Sequence, residues 1–240
     1  MSSTSNVGLR LAATTIPLRA TGQGTEILMV RRGESLSFGG MWTFPGGVIE
    51  QSDGPTPDLE GIDEDTFDWG APRLLATAAN AANRETREET NLSCPTPGLS
   101  WFSHWIPPAN IAKRFATWFF LAPETSGDLQ VDGTENTDAR WITPAQALAG
   151  YTEGDFPMAA PTWCTVNDLA QVASIPALID RTITQGPVMH HTRAFPTGQG
   201  RMLCWVGDSA YDSGDLEADG PRNRMLVDEN FAVLERTRSS

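Results

Sequence analysis

Three glutamates lie close together in the segment RETREE. Glu85, Glu88 and Glu89 are spaced i, i+3, i+4, so in a helix their carboxylates emerge from one face. Such carboxylates repel one another, and the repulsion grows if the face is partly buried. A positive partner is therefore expected: Arg84, which lies four residues before Glu88, Arg87, or a bound metal cation. The alternative interpretation is an ordinary solvated helix face.

A helix and a glycine turn are the elements that must position these side chains. Residues 74–90 contain strong helix formers and no Gly or Pro, which predicts a helix. Asn91 can end this helix because asparagine tolerates the left-handed conformation. Upstream, Gly46-Gly47 predicts a sharp turn that brings backbone close to the helix face, where a Cβ could clash.

The remaining pattern predicts an α/β fold. Strands rich in apolar and β-branched residues are predicted at 8–20, 25–32, 99–106, 113–122, 139–142, 200–206 and 223–228. Further helices are predicted from Thr143-Pro144 to about 149, at 161–174 and at 176–185. We expect one α/β domain over residues 1–150 and a C-terminal extension, residues 151–240, packed on it.

An acidic segment separates the glycine turn from the predicted helix. Residues 52–72 contain seven acidic side chains and no Lys or Arg. This composition predicts a solvated insertion.

Composition excludes several classes of protein. The net charge of −13 would repel a duplex nucleic acid, although divalent cations can still join carboxylates to a polyphosphate. The sequence contains no run of 18 apolar residues and no secretory signal pattern, so we expect no membrane partner. The three cysteines are widely spaced, which favours a reducing, cytoplasmic compartment.

The glycine turn and the helix segment with the three glutamates together resemble the signature of the Nudix hydrolases. The sequence has Phe44-Pro45-Gly46-Gly47 and then, on the predicted helix, Arg-Glu-x-x-Glu-Glu. The resemblance implies an α/β/α sandwich with a mixed sheet. Thr86 stands where the family has an apolar residue, and Asn91 stands at the closing glycine. The first acid of the signature falls on Asp53 only if the insertion begins after it, and the sequence leaves that alignment open.

The interrupted signature is similar to that of one branch of the family, which includes peroxisomal coenzyme A diphosphatases. The interval Val48–Asn83 is 36 residues long, far longer than the family pattern has. Arg32 matches an upstream arginine of the coenzyme A signature, whereas Leu36 takes the place of another. Coenzyme A is therefore one candidate substrate among several.

The resemblance implies a role for each site residue. Magnesium or manganese would be held by the carboxylates of the helix and a backbone carbonyl, namely Glu85, Glu88, Glu89 and Gly46. The catalytic group would comprise Glu88, Glu89, Arg84, which holds the glutamates in place, and Glu135, an alternative to a helix glutamate as general base. Substrate would contact Arg32, Gly47 and Phe44, although Phe44 is also a candidate core residue.

The expected reaction is metal-dependent hydrolysis of the diphosphate bond in a nucleoside diphosphate linked to another moiety, such as a coenzyme A-like, ADP-ribose-like or dinucleotide compound. The long insertion keeps a second interpretation open, a non-catalytic nucleotide-binding or regulatory module on the same fold. The resemblance also implies that the protein can form a homodimer.

Overall fold

The computed structural model describes residues 8–22, 24–34, 39–131, 133–228 and 231–237. Leu36 lies outside these residues. No helix in the described part of the chain is long and apolar enough to cross a membrane.

Twelve strands and four α-helices make up the described fold. The strands are β1 Leu9–Thr21, β2 Gly24–Arg32, β3 Trp42–Thr43, β4 Gly46–Val48, β5 Ser100–Ile106, β6 Arg114–Ala122, β7 Asn136–Ile142, β8 Val188–His191, β9 Arg193–Thr197, β10 Gly200–Cys204, β11 Asn223–Val227 and β12 Ala232–Arg236. The helices are α1 Pro72–Thr90, α2 Pro144–Glu153, α3 Ala160–Ala170 and α4 Ile175–Gln185. Every predicted strand and helix is present, and β3 is a short strand that leads into the glycine turn. The sequence analysis missed β4, β8, β9 and β12.

The main sheet is mixed, and β1 lies near its centre. Its strand order is β3-β2-β1-β6-β5-β8, with β4 paired to β1 and β7 paired to β2. β1 runs parallel to β6 and β5 runs parallel to β8, whereas the other pairs in this sheet are antiparallel. The predicted α/β class with a mixed sheet is confirmed.

Helices cover both faces of the main sheet. On one face, α1 buries a row of small residues, including Ala78 and Ala82, against Ala13 of β1 and Trp118 of β6. Small side chains let the helix lie close to the sheet, which is how the glutamates come near the glycine turn. The core on the opposite face includes residues of α2, α3 and α4.

The C-terminal residues contribute to both sheets. β8 extends the main sheet by pairing with β5, and β9–β12 form a separate four-stranded antiparallel sheet. Trp205 and Met225 from this part of the chain are fully buried in the same core as Ile16 of β1. The boundary at residue 150 stays a prediction.

Most of the acidic insertion is exposed loop, as its composition predicts, but Asp53, Glu64 and Trp69 are buried. Trp69 is 4% exposed and packs against Trp118 and His104. The carboxylate of Glu64 accepts hydrogen bonds from both terminal nitrogens of Arg114, at 2.7 and 2.5 Å. The composition does not predict this buried anchor, because it gives the charge within the segment alone, whereas the compensating arginine comes from β6.

Candidate active site

Thr86, the residue of α1 that departs from the family pattern, forms a hydrogen bond with the main sheet. Thr86 is fully buried, and its hydroxyl lies 2.7 Å from the hydroxyl of Thr15 on β1. Its hydroxyl also donates to the carbonyl of Ala82. A hydrogen bond to the sheet therefore replaces the apolar contact of the family pattern. Asn91 ends α1 with a φ of 59°, in the left-handed conformation that its type predicts.

Glu89 faces inward from α1 onto the glycine turn. Its Oε2 accepts a hydrogen bond of 3.0 Å from the Gly46 amide, and its Oε1 lies 3.9 Å from Nη1 of Arg32. Burial raises the pKa of this carboxyl to about 7, against the opposing effect of hydrogen bonds with Asn136 and Gly46 and of the charge on Arg32. The site thus holds a carboxyl whose charge is poorly compensated by its neighbours.

The glycine turn admits no side chain. A Cβ on Gly47 would lie 2.5 Å from the carboxylate carbon of Glu85, and one on Gly46 would lie 2.5 Å from the carbonyl oxygen of Ala13. β4 is antiparallel to β1 here, with Gly46 opposite Thr14. The close approach of backbone and carboxylate that the sequence predicted is therefore present.

We expect Gly47→Ala to lower kcat/KM by about 10- to 100-fold, because the new methyl group must displace the carboxylate of Glu85. Steady-state kinetics measures this loss. Gly98→Ala is the matched control, since a Cβ there meets no atom within 4 Å. Equal activity of the two variants would contradict a role for the close approach.

Arg84 lies at the centre of the carboxylate group. It makes a two-pronged ion pair with Asp53, Nε to Oδ1 at 2.8 Å and Nη2 to Oδ2 at 2.9 Å. Its Nη1 donates to Glu85 at 2.9 Å and to Glu88 at 3.0 Å. The hydrogen bond with Asp53 raises the pKa of Arg84, while burial opposes it, and the guanidinium stays charged. These contacts place Arg84 between the carboxylates of Glu85 and Glu88, and its role in catalysis stays a prediction.

The contacts of Asp53 favour one of the alignments that the sequence left open. Asp53 is buried near the start of the acidic segment and pairs with the arginine of the signature. Burial would raise the pKa of Asp53, but the hydrogen bonds from Arg84 and the Glu50 amide, together with the charge of Arg84, outweigh burial and lower the pKa. The alignment in which the insertion begins after Asp53 stays a prediction that this ion pair supports.

The glutamates differ in their surroundings. Burial raises the pKa of Glu85, opposed by Arg84 and reinforced by the charges of Glu88 and Glu135. The side chain of Glu88 is 54% exposed. Glu135 is exposed and lines the same cleft as Glu85.

The donor set suits a hard divalent cation, but it is not arranged around one point. Carboxylate oxygens are the ligands that magnesium and manganese prefer. Within the described residues, however, no three His, Cys, Asp or Glu side chains converge as a metal site. The reason is visible in the contacts, since Arg84 holds one oxygen of Glu85 and one of Glu88, and Gly46 holds one of Glu89.

A cleft of about 1210 Å³ opens beside this group. The proposed substrate residues Arg32, Gly47 and Phe44 all line it. The ring of Phe44 is only 2% exposed and meets Phe119 edge to face, so it belongs mainly to the core. The other wall of the cleft comes from α3 and the second sheet, a contribution that the sequence analysis did not predict.

Comparison with known proteins agrees with this architecture. Residues 75–162 match the NUDIX domain. The fold is similar to the crystal structure of a NUDIX hydrolase from Alicyclobacillus acidocaldarius, with a TM-score of 0.57 and 21% identity over 72% of this chain and 96% of that one. No curated protein sequence matches the chain.

Two further solved structures are less similar to this fold. The NUDIX domain of Shewanella oneidensis NrtR complexed with ADP ribose has a TM-score of 0.45 and 18% identity over 67% of this chain and 85% of that one. The MutT protein from Methanosarcina mazei Go1 has a TM-score of 0.46 and 15% identity over 69% of this chain and 97% of that one.

The match to the NUDIX domain covers residues 75–162 of the 240-residue chain, and the likeness to the solved NUDIX hydrolase supports the fold.

Proposed function

We propose that this protein uses a divalent metal ion, magnesium or manganese, to hydrolyse the diphosphate bond of a nucleoside diphosphate linked to a second moiety. The observation that carries the proposal is the gathering of Glu85, Glu88 and Glu89 around Arg84 and the Gly46-Gly47 turn, at the edge of a cleft large enough for a nucleotide. Coenzyme A-like, ADP-ribose-like and dinucleotide compounds are the candidate substrates.

The proposal assigns metal binding, positioning and phosphate binding to different residues. Glu85, Glu88 and Glu89, with the carbonyl of Gly46, would hold the metal, which offsets phosphate charge and lowers the pKa of bound water. Arg84 is a positioning residue, because it keeps two of the carboxylates beside each other and is itself fixed by Asp53. Metal binding would require these carboxylates to turn partly away from the guanidinium. Arg32 lines the cleft and offers positive charge to a phosphate.

The general base is either a helix glutamate or Glu135. Glu135 is exposed and lines the cleft, while Glu89 is buried against Gly46. We expect Glu135→Gln to lower kcat by about 10²- to 10⁴-fold if Glu135 takes the proton, and to change it little if a helix glutamate does.

The contacts of Arg84 also favour a second candidate function, a nucleotide-binding module without catalysis. Arg84 occupies oxygens of two glutamates that a metal would need. Incubating the protein with Mg²⁺ or Mn²⁺ and a panel of coenzyme A, ADP-ribose, dinucleotides and nucleoside triphosphates separates the two functions. Release of a nucleoside monophosphate or phosphorylated carrier supports the enzyme, whereas binding without product under both metals supports the module.

The proposal includes a cytoplasmic location and a homodimer. The three cysteines, all buried and unpaired, fit the reducing conditions of the cytoplasm. A homodimer of this chain is a further part of the proposal, and its mass in solution tests it.

A further inference from the structure

A β-bulge interrupts the pairing of β2 with β7 close to the site. The pairing is regular from Ile142 to Asp138 of β7. Arg32 of β2 then lies opposite Asn136, so Thr137 is an extra residue in β7. Bulges of this kind redirect side chains and are over-represented beside active sites, so the face onto which Asn136 points is informative.

The bulge changes the face of the sheet that Asn136 occupies. Side chains alternate between the two faces of a strand, so without the extra residue Asn136 would share the face of Asp138 and Arg140. Arg140 lies over the ring of Trp42, which belongs to the core on the side opposite α1. Residues directly opposite on paired strands share a face, so the bulge places Asn136 with Arg32, whose guanidinium approaches α1. The bulge therefore turns Asn136 towards α1.

Asn136 is buried against the carboxylate of Glu89. It is fully buried, and its side chain forms a hydrogen bond with Glu89. An ionised carboxylate can only accept, so the amide group of Asn136 is the donor. The Gly46 amide donates to Oε2 of Glu89 at 3.0 Å, and Nη1 of Arg32 lies 3.9 Å from Oε1. Groups from β2, β4 and β7 therefore approach one side chain of α1.

We propose that Asn136 is a positioning residue that fixes the Glu89 carboxylate in the orientation in which it binds the metal ion. The inference rests on the proposed function for the role of Glu89 as a ligand. A glutamate side chain rotates about several bonds, and fixing it beforehand reduces the entropy lost when it binds a ligand. Arg84 donates to Glu85 and Glu88, and Asn136 has the corresponding role for Glu89.

The contact between Asn136 and Glu89 is tested first, without metal or turnover. The side-chain amide signal of Asn136 is assigned by NMR in isotope-labelled protein in EDTA at about pH 8, above the pKa of Glu89. In Glu89→Gln we expect this signal to move upfield further than the other asparagine amide signals, because a hydrogen bond to a neutral acceptor is weaker than one to a carboxylate. A signal that stays in place would overturn the proposal.

The positioning role is tested by the binding of Mn²⁺ alone, measured by electron paramagnetic resonance of the free ion. Asn136→Leu keeps a similar side-chain size but removes the donor, and we expect it to weaken Mn²⁺ binding about 10-fold. In the Glu89→Gln background the same substitution should have little further effect, because the carboxylate on which Asn136 acts is gone. Unchanged affinity in Asn136→Leu, or an equal loss in both backgrounds, would overturn the proposal.

Asn223→Leu is the matched control. Asn223 is likewise the first residue of a strand, and its side-chain amide donates to the carbonyl of Val206 at 2.9 Å, in the second sheet. Its replacement should leave Mn²⁺ affinity unchanged, and a loss equal to that in Asn136→Leu would count against positioning. Failure of the proposed function would appear as an original protein that binds no Mn²⁺. The amide signal in Glu89→Gln decides the contact independently, so the two failures are distinguishable.

Discussion

Replacing Glu89 with glutamine is expected to lower kcat by about 10²- to 10⁴-fold while leaving the fold intact. The amide has the shape of the carboxylate and can still accept the hydrogen bond from Gly46, but it lacks the charge that would hold a metal ion. Steady-state hydrolysis of a substrate identified by the panel measures the loss.

The same variant is expected to be more stable than the original protein in EDTA. The buried Glu89 carboxyl has its pKa raised from 4.5 to about 7, so keeping it ionised in the folded state costs free energy above pH 4.5, and the cost is complete above about pH 7. Removing the charge should therefore raise the unfolding free energy at pH 8 by about 2 kcal/mol and Tm by several degrees.

Two comparisons make this prediction specific. Glu88→Gln should also lose turnover but change Tm little, because the Glu88 side chain is half exposed. Glu153→Gln, at the exposed end of α2, is the control and should change neither quantity. Full activity of both Glu88→Gln and Glu89→Gln would contradict the assignment of the helix face.

Replacing Glu64 with glutamine is expected to be strongly destabilising, by about 3–5 kcal/mol or a Tm decrease of about 10 °C. Arg114 is 2% exposed, and Glu64 is its carboxylate partner in the described structure. Removing that charge leaves a buried guanidinium uncompensated. Thermal unfolding at pH 7 measures the effect, and Glu60→Gln, at an exposed acid of the same insertion, is the control.

The pH dependence of stability follows from the same pair. Burial would raise the pKa of Glu64, but hydrogen bonds from His191 and Arg114 outweigh it and lower the pKa to about 2. The stabilisation is therefore fully present above pH 4.5 and is lost as the pH falls from 4.5 towards 2. Glu64→Gln should flatten this part of the stability profile. An unchanged profile would show that the pair contributes little.

This ion pair also connects the insertion to the cleft. Arg114 donates to the carbonyls of Pro107 and Pro108, which line the cleft just before Lys113. The insertion is thus placed to support the loop that carries Lys113. In Glu64→Gln we expect KM to rise more than kcat falls, because the loop lines the cleft and carries none of the proposed metal ligands.

The features of the site that depend on neighbouring residues in the sequence could be predicted. The spacing of Glu85, Glu88 and Glu89 places them on one helix face in any fold, and Asn91 carries its own preference for the left-handed conformation. The Gly46-Gly47 turn is likewise a local feature. The contact between turn and helix agrees with the prediction because small residues of α1 let it approach β1.

Long-range partners account for what the sequence analysis missed. The partnership of Asp53 with Arg84 spans 31 residues and that of Glu64 with Arg114 spans 50, and neither shows in the composition of its own segment. The cleft wall of β9–β12 depends on how the C-terminal strands pack on the domain. Short strands such as β8 and β9 lack the length for clear alternation.

The central claim is that the α1 carboxylates hold a divalent metal ion for diphosphate hydrolysis, and a metal titration of turnover tests it most directly. Product formation from a panel substrate is measured in EDTA and then with rising Mg²⁺, for the original protein and for Glu88→Gln. We predict no product in EDTA, saturable activation by Mg²⁺, and loss of that activation in the variant. Equal turnover in EDTA and in Mg²⁺, or the same Mg²⁺ response in both proteins, would contradict the account.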